Sequence, residues 1–254
     1  MTANSRAPLL VAGGTGTLGR AVLARLDRDG TDYRVLSRKP GPGHVVADLL
    51  NSDGLDVALR DVTTVINCAT SPRHDAQAAD HLLQAARAEG VNHLVHVSIV
   101  GIDRVPLGYY REKLAVESLV AASGVPHTVL RATQFHDLLA TMFATLSRSP
   151  VMPLPSAPFQ PIDVRDVADR LVALVAAGPQ GRVDDLGGPE VRDVTELARA
   201  WLAAHHRSRV VLPLRLPGKL ARAYRNGWHC TPQHAEGVIT FDDYLQARTT
   251  AVAS

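Results

Sequence analysis

The glycine pattern near the start of the chain restricts the fold more than any other feature. An apolar run, Pro8 to Gly13 (PLLVAG), leads into Gly13-Gly14-Thr15-Gly16-Thr17-Leu18-Gly19, a G-x-x-G-x-x-G sequence. A helical pattern follows over Leu18 to Asp29, with Leu18, Val22, Leu23 and Leu26 on one face. Strand, glycine turn and helix in that order open a βαβ unit. The first glycine permits a sharp turn, the second lets the backbone approach a phosphate, and the third lets the helix pack on the strand. The helix N-terminus then directs its N–H groups at an anion. The loop therefore suits the pyrophosphate of a dinucleotide, held by Gly13, Thr15, Gly16, Thr17, Leu18 and Gly19.

The same alternation continues along the chain. Tyr33 to Ser37, His44 to Asp48, Thr64 to Ala69, His93 to Ile99 and His127 to Arg131 are predicted strands. His74 to Glu89, Asp163 to Ala177 and Val194 to His205 are predicted helices. Continuous apolar strands separated by helices imply a parallel sheet covered on both faces, and right-handed crossovers make it doubly wound. Pro150, Pro153, Pro155, Pro158 and Pro161 exclude a helix and disfavour a central strand, which predicts a loop beside a site. Arg207 to Gly237 reads as irregular. A length of 254 residues suits one domain. The expectation is an α/β chain with a Rossmann-type doubly wound parallel sheet, helices on both faces and a small C-terminal substrate lobe. Its core would span about 8–178, with lobe segments at about 149–162 and 186–248.

Composition removes several function classes. Lys+Arg number 27 and Asp+Glu 25, a formal charge of only +2, so no nucleic-acid partner is expected. No apolar run approaches the roughly 18 residues of a spanning helix, and no membrane partner is expected. Cys68 and Cys230 are too few for a disulfide framework, and Met1 to Pro8 does not read as a signal peptide, so a cytoplasmic location is expected. His205-His206 and His229-Cys230 with His234 lack a second cluster at zinc-like spacing, so no metal is expected. Arg215, Lys219, Arg222 and Arg225 recur at helical spacing and read as a solvated face over an apolar stripe.

The second strand carries the information on cofactor type. An NAD site usually places an acid at its end to hold the ribose hydroxyls. Here the strand ends Val35-Leu36-Ser37-Arg38-Lys39. A hydroxyl followed by a guanidinium suits the 2′-phosphate of NADP, because arginine binds phosphate through paired hydrogen bonds. Asp48, with Leu49, is placed to meet the adenine.

Four further segments carry a resemblance: Asn67-Cys68-Ala69-Thr70, Val97-Ser98-Ile99-Val100-Gly101, Tyr109 to Glu117, and Leu130-Arg131-Ala132-Thr133-Gln134-Phe135. With them the chain resembles the short-chain dehydrogenases/reductases, and more closely the atypical, NmrA-like branch, over roughly Pro8 to Gly178. The resemblance implies a Rossmann-type fold and NADP(H) binding. It also implies cofactor contacts from Cys68, Ala69 and Thr70, and from Gln134 and Phe135 near the nicotinamide. It leaves catalysis open, since the branch includes reductases, isomerase-like enzymes and cofactor-sensing proteins without turnover.

Tyr109 and Lys113 are four residues apart, which places both on one face of a helix. Hydride transfer to a carbonyl leaves an alkoxide that needs a proton, and a phenol can supply it when a nearby ammonium favours the phenolate. Lys113 can also bond the nicotinamide ribose. In the resembled family a serine at the position of Ser98 helps polarise the substrate carbonyl. Tyr110, His136 and Trp228 are candidates to face the substrate. The expected function is an NADPH-dependent oxidoreductase acting on a carbonyl or conjugated carbonyl of a small, apolar molecule, as monomer or homodimer. The alternatives are a non-catalytic NADP(H)-sensing regulator and a cofactor-assisted isomerase or epimerase.

Overall fold

The computed structural model describes residues 9–71 and 73–253, so the predicted strand start at Pro8 lies outside the described residues. The first half alternates as expected: β1 (Leu9–Ala12), α1 (Thr17–Arg28), β2 (Tyr33–Ser37), β3 (His44–Val46), α2 (Leu55–Leu59), β4 (Thr64–Asn67), α3 (Asp75–Ala88), β5 (His93–Ile99), α4 (Gly108–Ala122) and β6 (His127–Ala132). The second half holds α5 (His136–Leu146), β7 (Val151–Pro155), β8 (Pro158–Phe159), α6 (Val164–Ala177), β9 (Gly181–Arg182), β10 (Arg192–Asp193), α7 (Val194–Ala204), β11 (Val210–Leu214), α8 (Lys219–Arg225) and α9 (Phe241–Ala253).

Seven strands hydrogen-bond in the order β3-β2-β1-β4-β5-β6-β9. The registered pairs run parallel, with Val11 of β1 between Val35 and Ile66. This is the doubly wound Rossmann-type sheet that the alternation predicts. The order reverses between β1 and β4, and in such sheets ligands bind in the crevice at that reversal. All four residues of β1 are buried, as a central strand covered on both faces must be.

Two compact units divide the chain. The first comprises Met1–Ser98, Arg111–Leu130 and Ala168–Val183, and the second Ile99–Tyr110, Arg131–Val167 and Asp184–Ser254. The core of the first is aliphatic, with Leu10, Leu36, Leu59, Val65, Leu82 and Leu94 at its centre. The second concentrates the rings, with Phe143, Phe159, Trp201, Phe241 and Tyr244 in one cluster.

Two sequence expectations need correction. The proline-rich stretch is not a loop: it forms β7 and β8, which lie in two-stranded sheets paired to β11 and β10. A strand in a two-stranded sheet has one edge unpaired, so prolines lacking an N–H fit there. The stretch Arg207 to Gly237 is also more ordered than expected, because it supplies β11 and α8. Only Lys219, Arg222 and Arg225 of the basic series are on that helix, and Arg215 precedes it.

Candidate functional site

Gly13 directly follows β1 at φ +78°, a left-handed conformation that glycine adopts without strain. A Cβ on Gly13 would lie 2.6 Å from the Ala69 nitrogen, so the loop after β4 and the glycine loop touch backbone to backbone. A Cβ on Gly19 would overlap the Gly13 carbonyl, which is the close helix–strand packing expected of the third glycine. Gly16 is the N-cap of α1, no side chain caps that end, and the first turn holds no acid. The opening N–H groups of α1 are thus unmatched by any negative side chain, as an anion site requires.

A cleft of about 990 Å³ opens in the first unit around this loop. Its wall brings together Gly13, Thr15, Gly16, Ser37, Arg38, Asp48, Leu49, Cys68, Ala69, Thr70 and Lys113 from the sequence-predicted set. Thr17, Leu18 and Gly19 form the first turn of α1 beside it. Local bonds shape the rim. Ser37 Oγ accepts from the Lys39 N–H at 3.1 Å, and Asp48 Oδ1 accepts from the Leu50 N–H at 2.9 Å. Arg38 and Lys39 are both exposed there. Burial pushes the Cys68 thiol up to about 12, against the pull of Lys113, so at neutral pH it is an uncharged wall group.

Lys113 is buried, and its Nζ lies 3.2 Å from Oδ2 of Asp75. Asp75 opens α3, and its carboxylate also accepts from Thr70 Oγ1 at 3.3 Å and from the Ser71 N–H. One carboxylate therefore joins the loop after β4, the start of α3 and a lysine of α4. Asp75 was not anticipated from the sequence; an acid opening a helix right after a strand-end loop was its one signal. His96 and Asn67 also line the cleft and were equally unanticipated as site residues. Ser98 is buried at the end of β5 with no partner for its Oγ.

The remaining predicted residues belong to the second unit. Tyr109 is on the first turn of α4 and 37% exposed. Tyr110 is buried, and burial, then Tyr224, raise its phenol pKa. Gln134 is buried and donates to the His229 carbonyl at 3.1 Å, while Phe135 caps α5. His136 is fully buried, with Nε2 3.0 Å from the Ile239 carbonyl and its ring against Phe241 and Tyr244. Burial lowers the His136 pKa. Trp228 is half-buried, and its carbonyl accepts from Arg104 at 3.4 Å.

The family model described as NAD(P)H-binding matches residues 13–177. The chain belongs to the NAD(P)H-binding family. The match includes the glycine loop and the whole of α4. The protein is 35% identical over 204 residues to a (4-alkanoyl-5-oxo-2,5-dihydrofuran-3-yl)methyl phosphate reductase of Streptomyces griseus, covering 72% of this chain and 68% of that one. It is 26% identical over 212 residues to quinone oxidoreductase 2 of Escherichia coli, covering 75% and 72%. The solved structure of an NADPH-dependent quinone oxidoreductase from Escherichia coli aligns with a TM-score of 0.77 at 19% identity, over 94% of this chain and 99% of that one. A nucleoside-diphosphate-sugar epimerase from Staphylococcus aureus aligns at 0.78 and 18% identity over the same shares. These two structural likenesses show the fold. With the family match and the named reductases, the protein is an NAD(P)H-dependent oxidoreductase.

Proposed function

We propose that this oxidoreductase takes NADPH, in preference to NADH, into the cleft of the first unit and reduces a carbonyl or conjugated carbonyl of a small, apolar molecule. The observation that carries the reading is the end of β2 on the wall of that cleft: Ser37 and the exposed Arg38 stand where an NAD site places an acid. A guanidinium there suits a 2′-phosphate dianion. The uncapped start of α1 and the bare Gly13 backbone suit the pyrophosphate. Asp48 and Leu49 take the adenine side, and Cys68, Ala69 and Thr70 the path towards the nicotinamide.

When bound, NADPH supplies a hydride from its nicotinamide ring. The chain's residues then have separate tasks. Lys113, fixed by Asp75, donates to the nicotinamide ribose. Ser98 donates to the substrate oxygen as negative charge grows there, and Tyr109 delivers the proton. Tyr110 and His136 are assigned to packing, because both are buried, the Tyr110 phenol bonds Tyr224, and the His136 ring packs on Phe241 and Tyr244 with Nε2 at the Ile239 carbonyl. Two relatives are named for an alkanoyl-oxo-dihydrofuran phosphate and for quinones, both conjugated carbonyl compounds, which supports the conjugated-carbonyl part of that class.

The test is NADPH oxidation, followed at its ultraviolet absorbance, against a panel of quinones, enones and simple ketones. Turnover with conjugated members is expected. Saturable NADPH binding with no oxidation across the whole panel would overturn the catalytic reading and favour a cofactor-sensing protein.

A further inference from the structure

β5 carries a group that hydride chemistry does not use. His96 precedes Ser98 by two residues, so strand alternation puts both side chains on one face. His96 is 1% exposed and Ser98 4%. Each holds a polar atom without a partner, Nε2 in His96 and Oγ in Ser98. Buried polar atoms are almost always hydrogen-bonded, so an orphan lining a ligand cleft marks a place for a ligand atom. His96 lines the cleft together with Gly13, Asn67 and Lys113.

The neighbours define what kind of atom the orphan is. Asn67 Oδ1 accepts from the Ala69 N–H at 3.1 Å. That leaves the amide's Nδ2, a donor, facing Nδ1 of His96 at 3.4 Å. With the amide so oriented, Nδ1 is assigned as the acceptor and the proton of the neutral ring to Nε2. Burial first, and then the Lys113 ammonium, push the His96 pKa down to about 4, against Glu117, Asp75 and Asn67. A neutral N–H donor suits an uncharged oxygen, whereas a phosphate is better met by a cation. Lys113, the proposed ribose ligand, is among the groups acting on this ring.

We infer that His96 is a cofactor-binding residue whose Nε2–H donates to a ribose hydroxyl oxygen of the dinucleotide, with Asn67 as the positioning residue that orients the ring. The inference rests on the reading of the cleft as an NADPH site. Asn67 thus links ring orientation to the glycine loop, because the Ala69 it bonds is also the residue Gly13 touches.

The experiment titrates NADPH, with no carbonyl substrate present, into the wild type, His96→Leu and His96→Gln, and melts each protein without cofactor. The leucine variant is expected to bind NADPH about three- to tenfold more weakly, the loss of one neutral hydrogen bond. Its cofactor-free melting temperature is expected to stay close to that of the wild type, because the loss of the orphan Nε2–H is offset by the Asn67 Nδ2–H left without its acceptor. Glutamine restores an N–H donor near the Nε2 position and is expected to recover most of the affinity. A ring with only a packing role would instead lower the melting temperature of both variants without a selective loss of affinity. If His96→Leu does not fold, the affinity of the glutamine variant decides, and a loss as large as tenfold there overturns the donor role. Unchanged NADPH affinity in His96→Leu overturns the inference alone. Unchanged affinity with a raised KM for the carbonyl substrate also overturns it, and assigns the donor to the substrate. A wild type that binds no NADPH overturns the reading of the cleft, and this inference with it.

Discussion

Replacing Asp75 by asparagine removes one charge from a pair that water barely reaches. The two side chains are 3% and 7% exposed, and the Lys113 Nζ lies 3.2 Å from the carboxylate. Asparagine keeps the volume and keeps one oxygen for the Ser71 N–H that the aspartate accepts. What it removes is the countercharge, leaving an ammonium in the wall of the cleft. Removing one partner of a buried ion pair costs roughly 3–5 kcal/mol, mostly because the other charge is stranded. For a chain of this size each kcal/mol moves the melting temperature by about 2–4 °C, so a fall of about 6–20 °C is expected. The assay is a thermal melt at neutral pH of Asp75→Asn, Lys113→Met and the double variant. The double variant should recover most of the loss, since neither charge is then buried alone. A fall of less than 1 °C in Asp75→Asn, or strictly additive losses in the double variant, would refute the pairing as the source of the effect.

Three further outcomes are expected. Gly13→Ala places a methyl group 2.6 Å from the Ala69 nitrogen at a φ of +78°, so NADPH binding should be lost together with more than about 1 kcal/mol of stability, checked by titration and denaturant melts. Tyr109→Phe should lower kcat at least tenfold while the NADPH dissociation constant stays within twofold, and an unchanged kcat removes the proton-donor role. Burial pushes both His96 and His229 down to about 4 from the usual 6.5. The unfolded chain therefore binds more protons than the folded one between those values, and stability should be complete above pH 6.5 and fall steadily towards pH 4. Melts across that range check this, and a flat profile contradicts the buried neutral rings.

Those parts of the site that depend on backbone were legible in the sequence. Glycine has few reasons to recur at a strand end in the pattern Gly13, Gly16, Gly19, and the loop is where that pattern places it. The place of Arg38 on the cleft wall was readable as well, because it directly follows the end of an apolar strand. Side-chain partnerships were not readable. Asp75 meets a lysine 38 positions away in sequence, and no local pattern announces that contact. His96 sits in an apolar strand, and sequence alone does not reveal whether its two nitrogens are satisfied. The ordering of Val151–Pro155 and Val210–Leu214 as paired strands was hidden for another reason. Proline argues against a central strand, but each of these strands has a single partner and an unpaired edge to hold it. The ring cluster of the second unit was missed too, since Phe143, Trp201 and Phe241 come from three helices far apart in the chain.

The measurement closest to the central claim is cofactor selectivity at Arg38. NADPH and NADH differ by the 2′-phosphate alone, and charge-assisted bonds from arginine to phosphate are worth about 1.5–3 kcal/mol, roughly a 10- to 150-fold preference. The expected result is that the wild type favours NADPH by at least that factor in kcat/KM, and that Arg38→Ala lowers the NADPH value by about 10-fold or more while leaving NADH within twofold. Equal use of the two cofactors by the wild type, or an NADPH preference that survives in Arg38→Ala, would contradict it.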